Sequence, residues 1–276
     1  MRAAEEVVGG VERRWTVLLG GFLLSLMGGM SYAWGSFVVP LRVDWGWTAA
    51  EATLPLTILI VVFAIAMIPA GWLPVQPTVA VQDVAPRDFV KDPVFFLLWL
   101  ALASVIGGGL TAIGLLTAYG ELELQLSPAQ AALSISLYAL VNGLGRPAAG
   151  WFADRVGTVR VMITVYAVQA VVFLALPWVA TTRLSLYVCA LLLGAGYAVT
   201  FALFPVVVAA GFGTKYLGMN YGLVFSAFGF GAITGLMGSW LLDRTGSFTP
   251  AFLLAGSTTV VGLLLLVYLR KKLGVA

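Results

Sequence analysis

Eight stretches of this chain are each long and apolar enough to cross a lipid bilayer as a helix, and this governs how the rest can fold. About 20 apolar residues span the ~30 Å hydrocarbon core, and inside it every backbone amide must be satisfied by protein. The stretches run roughly over 15–39, 50–72, 94–118, 129–152, 160–180, 184–209, 218–241 and 250–269. Only 10% of the 276 residues are charged, against roughly a quarter in soluble domains. The expectation is an all-α integral membrane protein with eight transmembrane helices. The first stretch exceeds the ~7–15 residues of a signal h-region and follows Glu5, Glu6 and Glu12 as well as Arg13 and Arg14, so it reads as a spanning helix.

An even number of spans puts both termini on one side. With that side cytoplasmic, the inner segments hold Arg2, Arg13, Arg14, Arg87, Lys91, Arg155, Arg160, Lys215, Arg270, Lys271 and Lys272, and the outer ones only Arg42, Arg183 and Arg244. This satisfies the positive-inside rule and predicts two cytoplasmic termini, with the plasma membrane as the expected location. The longest connection contains Pro74, Pro77, Pro86 and Pro93 among charged residues, which argues against a spanning element. The chain thus divides into a two-helix hairpin (1–72), a cytoplasmic linker (73–93) and a six-helix membrane domain (94–276).

Several chemistries are excluded. There is no histidine, which removes histidine metal sites, Ser-His-Asp triads and HExxH zinc chemistry. The single Cys189 can form no intramolecular disulfide. No GxxxxGK[ST] loop is present for ATP, and the net charge of +3 describes loops rather than affinity for nucleic acid. Asp154 and Asp243 fall on opposite sides of the membrane, so no buried aspartate pair suggests an intramembrane protease. No cofactor, no metal and no enzymatic activity are implied.

Arg146 is the one charge deep inside an apolar stretch. At about 1.5 Å per helical residue it lies roughly 12 Å inside the interface expected at Asp154. A central arginine costs about 2.5–3.5 kcal/mol on insertion scales and normally faces a cavity and a counter-charge. Tyr138 and Asn142 precede it at intervals of four, so the three share one helix face. Guanidinium grips carboxylate with two directional hydrogen bonds. The competing reading is structural, because Pro147 removes the hydrogen bond to the Gly143 carbonyl and offers Arg146 a backbone acceptor.

A shift of 79 residues lays the first hairpin on the next without a gap: Gly28-Gly29 on Gly107-Gly108, Gly35 on Gly114, Thr48 on Ser127, Leu54 on Leu133, and Gly71-Trp72 on Gly150-Trp151. Internal repeats of this kind are typical of secondary transporters, whose sites lie between repeats near the midplane. Met67 occupies the position of Arg146 in the first copy, which makes the expected site asymmetric. The glycine clusters at 107–109, 194–196 and 229–231 read as helix-packing surfaces, with Gly231 and Gly235 forming a GxxxG.

The chain resembles the major facilitator superfamily, and within it the oxalate/formate antiporter family and its monocarboxylate-transporter relatives. The resemblance rests on Tyr32-Ala33-Trp34-Gly35-Ser36-Phe37 with Pro40-Leu41, then Trp45-Gly46-Trp47-Thr48. It continues through Arg87-Asp88-Phe89, Asp92-Pro93-Val94-Phe95-Phe96, the run Asn142 to Gly157, Phe204-Pro205, Phe212-Gly213 and Gly218-Met219-Asn220-Tyr221-Gly222. The matching segments are the family's helices one, two and seven to twelve. Helices three to six have no counterpart, so the implied fold is a truncated superfamily-like bundle.

That resemblance implies a secondary transporter of a small organic anion, by exchange or with a proton. Exchange is preferred, since no aspartate or glutamate lies deep in a span to relay a proton. It makes Arg146 a carboxylate contact, with Asn142, Tyr138, Tyr32, Trp34 and Tyr197 as candidate substrate-binding neighbours. Gly150, Asp154, Arg155, Gly157 and Arg160 become a cytoplasmic latch between access states. Oxalate-type relatives carry a lysine in the eleventh helix where this chain aligns Phe228, which favours a monocarboxylate of the formate or lactate/pyruvate class over oxalate. The alternative function is a shortened, non-transporting relative that binds or senses an anion. The expected partners are the anion and the bilayer, with two copies pairing to rebuild a fuller bundle.

Overall fold

The computed structural model of the chain describes residues 30–70 and 83–273, and these are helical throughout apart from short connections. A 3₁₀ segment, Met30–Phe37, leads directly into α1 (Val38–Trp45). Then follow α2 (Ala49–Ala70), a one-turn helix at Pro86–Phe89, α3 (Pro93–Leu122), α4 (Pro128–Val156), α5 (Thr158–Val179) and α6 (Arg183–Phe212). The last three are α7 (Leu217–Phe225), α8 (Ala227–Thr245) and α9 (Thr249–Leu273).

Local chemistry sets these boundaries. Ser127 and Gln130 form a capping box at the start of α4, and Thr182 and Ser185 form one at α6. Before α2, Thr48 N–H donates to Glu51 Oε2 at 2.8 Å while Glu51 N–H donates to Thr48 Oγ1 at 3.1 Å, the same reciprocal arrangement. The caps at Thr48 and Ser127 are corresponding positions of the 79-residue repeat, so the register extends to how each second helix begins. Gly157 and Gly213 end α4 and α6 with φ of 96° and 80°, a region open to glycine and strained for other residues.

Six described segments are long and apolar enough to span a membrane: Ala49–Pro69, Pro93–Leu122, Thr158–Val179, Arg183–Phe212, Leu217–Thr245 and Thr249–Lys271. The chain is a multi-pass membrane protein, although eight spans were expected. Two of those do not appear among the six. The first, 15–39, lies largely outside the described residues, as do Gly28, Gly29, Gly71 and Trp72 of the repeat. The fourth is α4, whose 29 residues suffice in length, but Asn142, Arg146, Asp154 and Arg155 lower its hydropathy.

The core forms around α3, in which every residue from Ala101 to Gly120 is buried. A helix apolar on all sides belongs at the centre, and α4, α6, α8, α9 and the 3₁₀ segment surround it. Small residues let them close in: a Cβ on Gly231 would lie 3.0 Å from Ile106 Cβ, which accounts for the GxxxG at Gly231 and Gly235 as an α8–α3 contact.

The segment α2 packs along α7 and α8 from one end to the other. At one end, Asp243 of α8 accepts hydrogen bonds from Ala49 N–H at 2.7 Å and Ala50 N–H at 2.8 Å, with an Arg42 nitrogen 4.0 Å away. One turn inward Thr53 and Ser239 share a buried hydrogen bond of 2.7 Å. Further along, Gly229 faces Val61 and Ala64, and a Cβ on Gly222 would stand 2.8 Å from the Met67 carbonyl. The sequence reads Asp243 to Gly246 as loop. Instead Asp243 lies within α8 and caps α2, satisfying two of the amides that any helix N-terminus leaves open.

Candidate anion-binding site

The buried face of α4 runs through Ala131, Ser134, Ile135, Tyr138, Asn142, Ala149 and Ala153. Arg146 falls in the gap between Asn142 and Ala149 on that line, yet it is exposed. The reason lies in its neighbours. Its guanidinium carbon stands 5.0 Å from the centre of the Phe201 ring of α6, a cation–π contact, and it acts electrostatically on the phenols of Tyr32, Tyr197 and Tyr221. These four rings come from the 3₁₀ segment, α6 and α7, so the arginine lies where three elements meet. Among the described residues no carboxylate pairs with it, the ion pairs being Arg42–Asp243 and Lys91–Asp88. No hydrogen bond carries it to the Gly143 carbonyl either.

Behind the arginine lies a triad of phenols. Tyr138 and Tyr197 are buried and Tyr32 half-buried, with ring centres 6.1 Å apart for Tyr32–Tyr138, 6.4 Å for Tyr32–Tyr197 and 5.7 Å for Tyr138–Tyr197. Asn142 Nδ2 donates to the Tyr32 hydroxyl at 2.6 Å. Tyr32 therefore acts as acceptor toward Asn142, and the Arg146 side chain reaches the same hydroxyl. The Asn142 Oδ1 is buried without a hydrogen-bond partner among the described residues. Tyr138 donates to the Gly109 carbonyl at 3.4 Å. Gly109 is needed there, because a Cβ would fall into the Tyr197 ring.

The structure thus brings together Arg146, Asn142, Tyr138, Tyr32 and Tyr197. It commits Trp34 elsewhere: the indole N–H donates to the Ala52 carbonyl of α2 at 2.8 Å, and its ring contact is with Phe37. Trp34 ties the 3₁₀ segment to α2 rather than joining the phenols. Tyr119 donates to the Ala180 carbonyl at 3.0 Å, a link between α3 and the end of α5. Sequence reasoning missed Tyr221 as a neighbour of Arg146, although the Gly218 to Gly222 motif was visible.

Gly150, Asp154, Arg155, Gly157 and Arg160 gather at the elbow between α4 and α5. Arg155 lies 3.4 Å over the Trp151 ring and donates to the Trp151 carbonyl, while Arg160 donates to the Val156 carbonyl at 3.5 Å. Asp154 is exposed and makes no ion pair with either arginine among the described residues.

A ring wall extends from Arg146 in the other direction. Phe201 contacts Phe228 and Phe225 at 5.7 and 6.1 Å, and these two stack at 5.1 Å. Both meet Phe63 of α2, at 6.2 and 5.8 Å.

A polar stripe and a single arginine in an all-helical membrane bundle find their counterpart among known proteins. The profile of the Major Facilitator Superfamily matches residues 95–274, well over half of the chain. The chain belongs to the Major Facilitator Superfamily. It is 28% identical over 201 residues to the oxalate:formate antiporter of Oxalobacter formigenes, covering 72% of this chain and 48% of that protein. It is 31% identical over 155 residues to monocarboxylate transporter 12 of Mus musculus, covering 54% of this chain and 32% of the other. Monocarboxylate transporter 13 of Rattus norvegicus is 31% identical over 145 residues, covering 51% and 33%. The chain spans half or less of the length of these relatives. Members of this superfamily are transporters rather than enzymes, and the site described lies mostly within the matched region, with Tyr32 and Phe63 outside it.

Proposed function

We propose that the chain is a secondary transporter of a small organic anion, a monocarboxylate held by Arg146 with the Tyr32 hydroxyl as second donor. The observation that supports this most is the placement of Arg146: a guanidinium against the Phe201 ring, without a carboxylate partner among the described residues. The names of the relatives point the same way, an oxalate:formate antiporter and two monocarboxylate transporters. Phe228, buried in the ring wall, stands where oxalate-type relatives carry a lysine for the second carboxylate. Exchange is preferred to proton coupling. Counterflow of labelled monocarboxylates into proteoliposomes tests the reading: uptake that depends on internal anion supports it, and its absence with well-folded protein overturns transport.

One observation favours the second reading, a non-transporting anion binder. The hairpin helix α2 is fastened along its whole length, from Asp243 at one end to Gly222 at the other, whereas alternating access needs one end to part. Anion binding without counterflow would decide for it. The same proposal includes eight spans with cytoplasmic termini in the plasma membrane, which labelling of single introduced cysteines from either side tests. The elbow from Gly150 to Arg160 serves as the latch; Asp154→Asn then slows exchange without altering anion affinity, and unchanged exchange removes the role. Two copies pair across the open face that exposes Arg146, and a strictly monomeric yet active preparation excludes this.

A further inference from the structure

We infer that residues 83–89, the end of the linker before α3, form a strap that positions α7 beside the Arg146 site, with Asp83 and Asn220 as the positioning residues. This rests on the proposed role of Arg146 and adds a control of that site. The strap is fastened around the turn between α6 and α7 at three points. The Asp83 carboxylate accepts the Lys215 N–H at 3.0 Å, Val84 N–H donates to the Phe212 carbonyl at 3.1 Å, and Asn220 Nδ2 donates to the Val84 carbonyl at 3.0 Å. Beside them Phe89 is fully buried, its ring 4.5 Å from that of Phe212 and 5.1 Å from that of Phe95. Gly213 makes room for the strap, because a Cβ there would fall on the Asp83 carboxylate.

The segment α7 is short, and its two ends are fixed by different partners. Its nine residues stop at Ser226, whose hydroxyl donates to the Leu223 carbonyl at 2.7 Å and accepts the Trp99 indole N–H at 2.9 Å. Gly222 backs onto α2 at the Met67 carbonyl, and the strap holds the other end through Asn220. From Asn220 the route to the arginine is short. Tyr221 follows it in sequence and meets Phe225 at 5.6 Å, Phe225 meets Phe201 at 6.1 Å, and Phe201 carries the Arg146 guanidinium at 5.0 Å. A shift of α7 therefore moves the rings that surround Arg146. Short segments open locally at a lower cost than the whole fold, so the strap sets how often α7 leaves the site.

The test combines peptide-resolved hydrogen exchange with acetate titration by thermal stabilisation, on the purified full chain in nanodiscs. In Asp83→Ala the amides of 217–225 should exchange about threefold to tenfold faster, as for one lost hydrogen bond, with acetate affinity falling by up to the same factor. Asn220→Ala should act in the same way. Asp83→Asn keeps an acceptor for Lys215 and should restore both readouts. Exchange in α3 should stay unchanged throughout. Unchanged exchange over 217–225 in both alanine variants overturns the strap, and so does a rise spread evenly over all helices. An Asp83→Asn protein as impaired as Asp83→Ala overturns the Asp83 hydrogen bond as a fastening. Faster exchange in α7 with acetate affinity unchanged, and lost only in Arg146→Gln, overturns the positioning role and leaves the arginine site standing. Equal acetate binding by wild type and Arg146→Gln overturns the arginine site itself, and the strap then stands or falls on exchange alone.

Discussion

Replacing Asp243 with alanine should loosen the grip of the six-helix domain on α2. The carboxylate accepts the Ala49 and Ala50 amides at 2.7 and 2.8 Å, so it performs from another helix what an N-cap residue does locally. Loss of an N-cap costs typically about 1 kcal/mol, and a negative charge at a helix N-terminus adds roughly 0.3–1 kcal/mol. The Arg42 contact is long, at 4.0 Å, with side chains 29% and 17% exposed, and at such exposure it adds well under 1 kcal/mol. The sum is about 2 kcal/mol, or roughly 4–8 °C in Tm for a chain of this size. Asp243 uses both carboxylate oxygens, whereas Asn offers one acceptor, so Asp243→Asn should lose the charge and one of the two amide bonds and fall somewhat less than Asp243→Ala. Thermal unfolding followed by tryptophan fluorescence checks both variants. An Asp243→Ala protein as stable as wild type would refute the cap, and an Asp243→Asn protein as stable as wild type would mean that neither the charge nor the second acceptor matters.

Three further outcomes follow from the site. Gly109→Ala drives a Cβ into the Tyr197 ring; overpacking of this kind costs about 1–3 kcal/mol, so Tm should drop and anion binding weaken together, whereas an unchanged Tm would deny the close approach. Asn142→Leu removes the hydrogen bond that orients Tyr32 and should lower anion affinity about threefold to tenfold, in line with one hydrogen bond; titration with acetate reads it. Phe228→Lys places a second cation within the ring wall, so oxalate should gain affinity relative to formate, and an unchanged oxalate-to-formate ratio argues that Phe228 does not face the ligand.

The sequence made the local features plain and left the distant ones hidden. Thr48 and Ser127 stood out as matching positions of the 79-residue repeat, while the reciprocal caps they make, and the one at Thr182, emerge only in the structure. The stripe of Tyr138, Asn142 and Arg146 was legible because helical spacing alone puts residues four apart on one face. Asp243 was not, since its partners lie 193 and 194 residues away and its Asp-Arg-Thr-Gly context resembles a turn. Trp34 shares a motif with Tyr32, but two residues along a helix turn a side chain to a different face, and its indole finds Ala52 instead. The ring wall needed tertiary structure too. Phe63, Phe201, Phe225 and Phe228 come from four helices, and the sequence marks Phe228, where oxalate-type relatives carry a lysine, without showing which rings it meets.

The central claim is that one arginine holds one carboxylate, and a direct titration of acetate and of oxalate into wild type, Arg146→Lys and Arg146→Gln tests it most closely. Wild type is expected to bind acetate saturably, Arg146→Lys, which keeps the charge but loses the bidentate fork, more weakly, and Arg146→Gln not at all with its fold and Tm retained. Acetate bound by Arg146→Gln with wild-type affinity would contradict it.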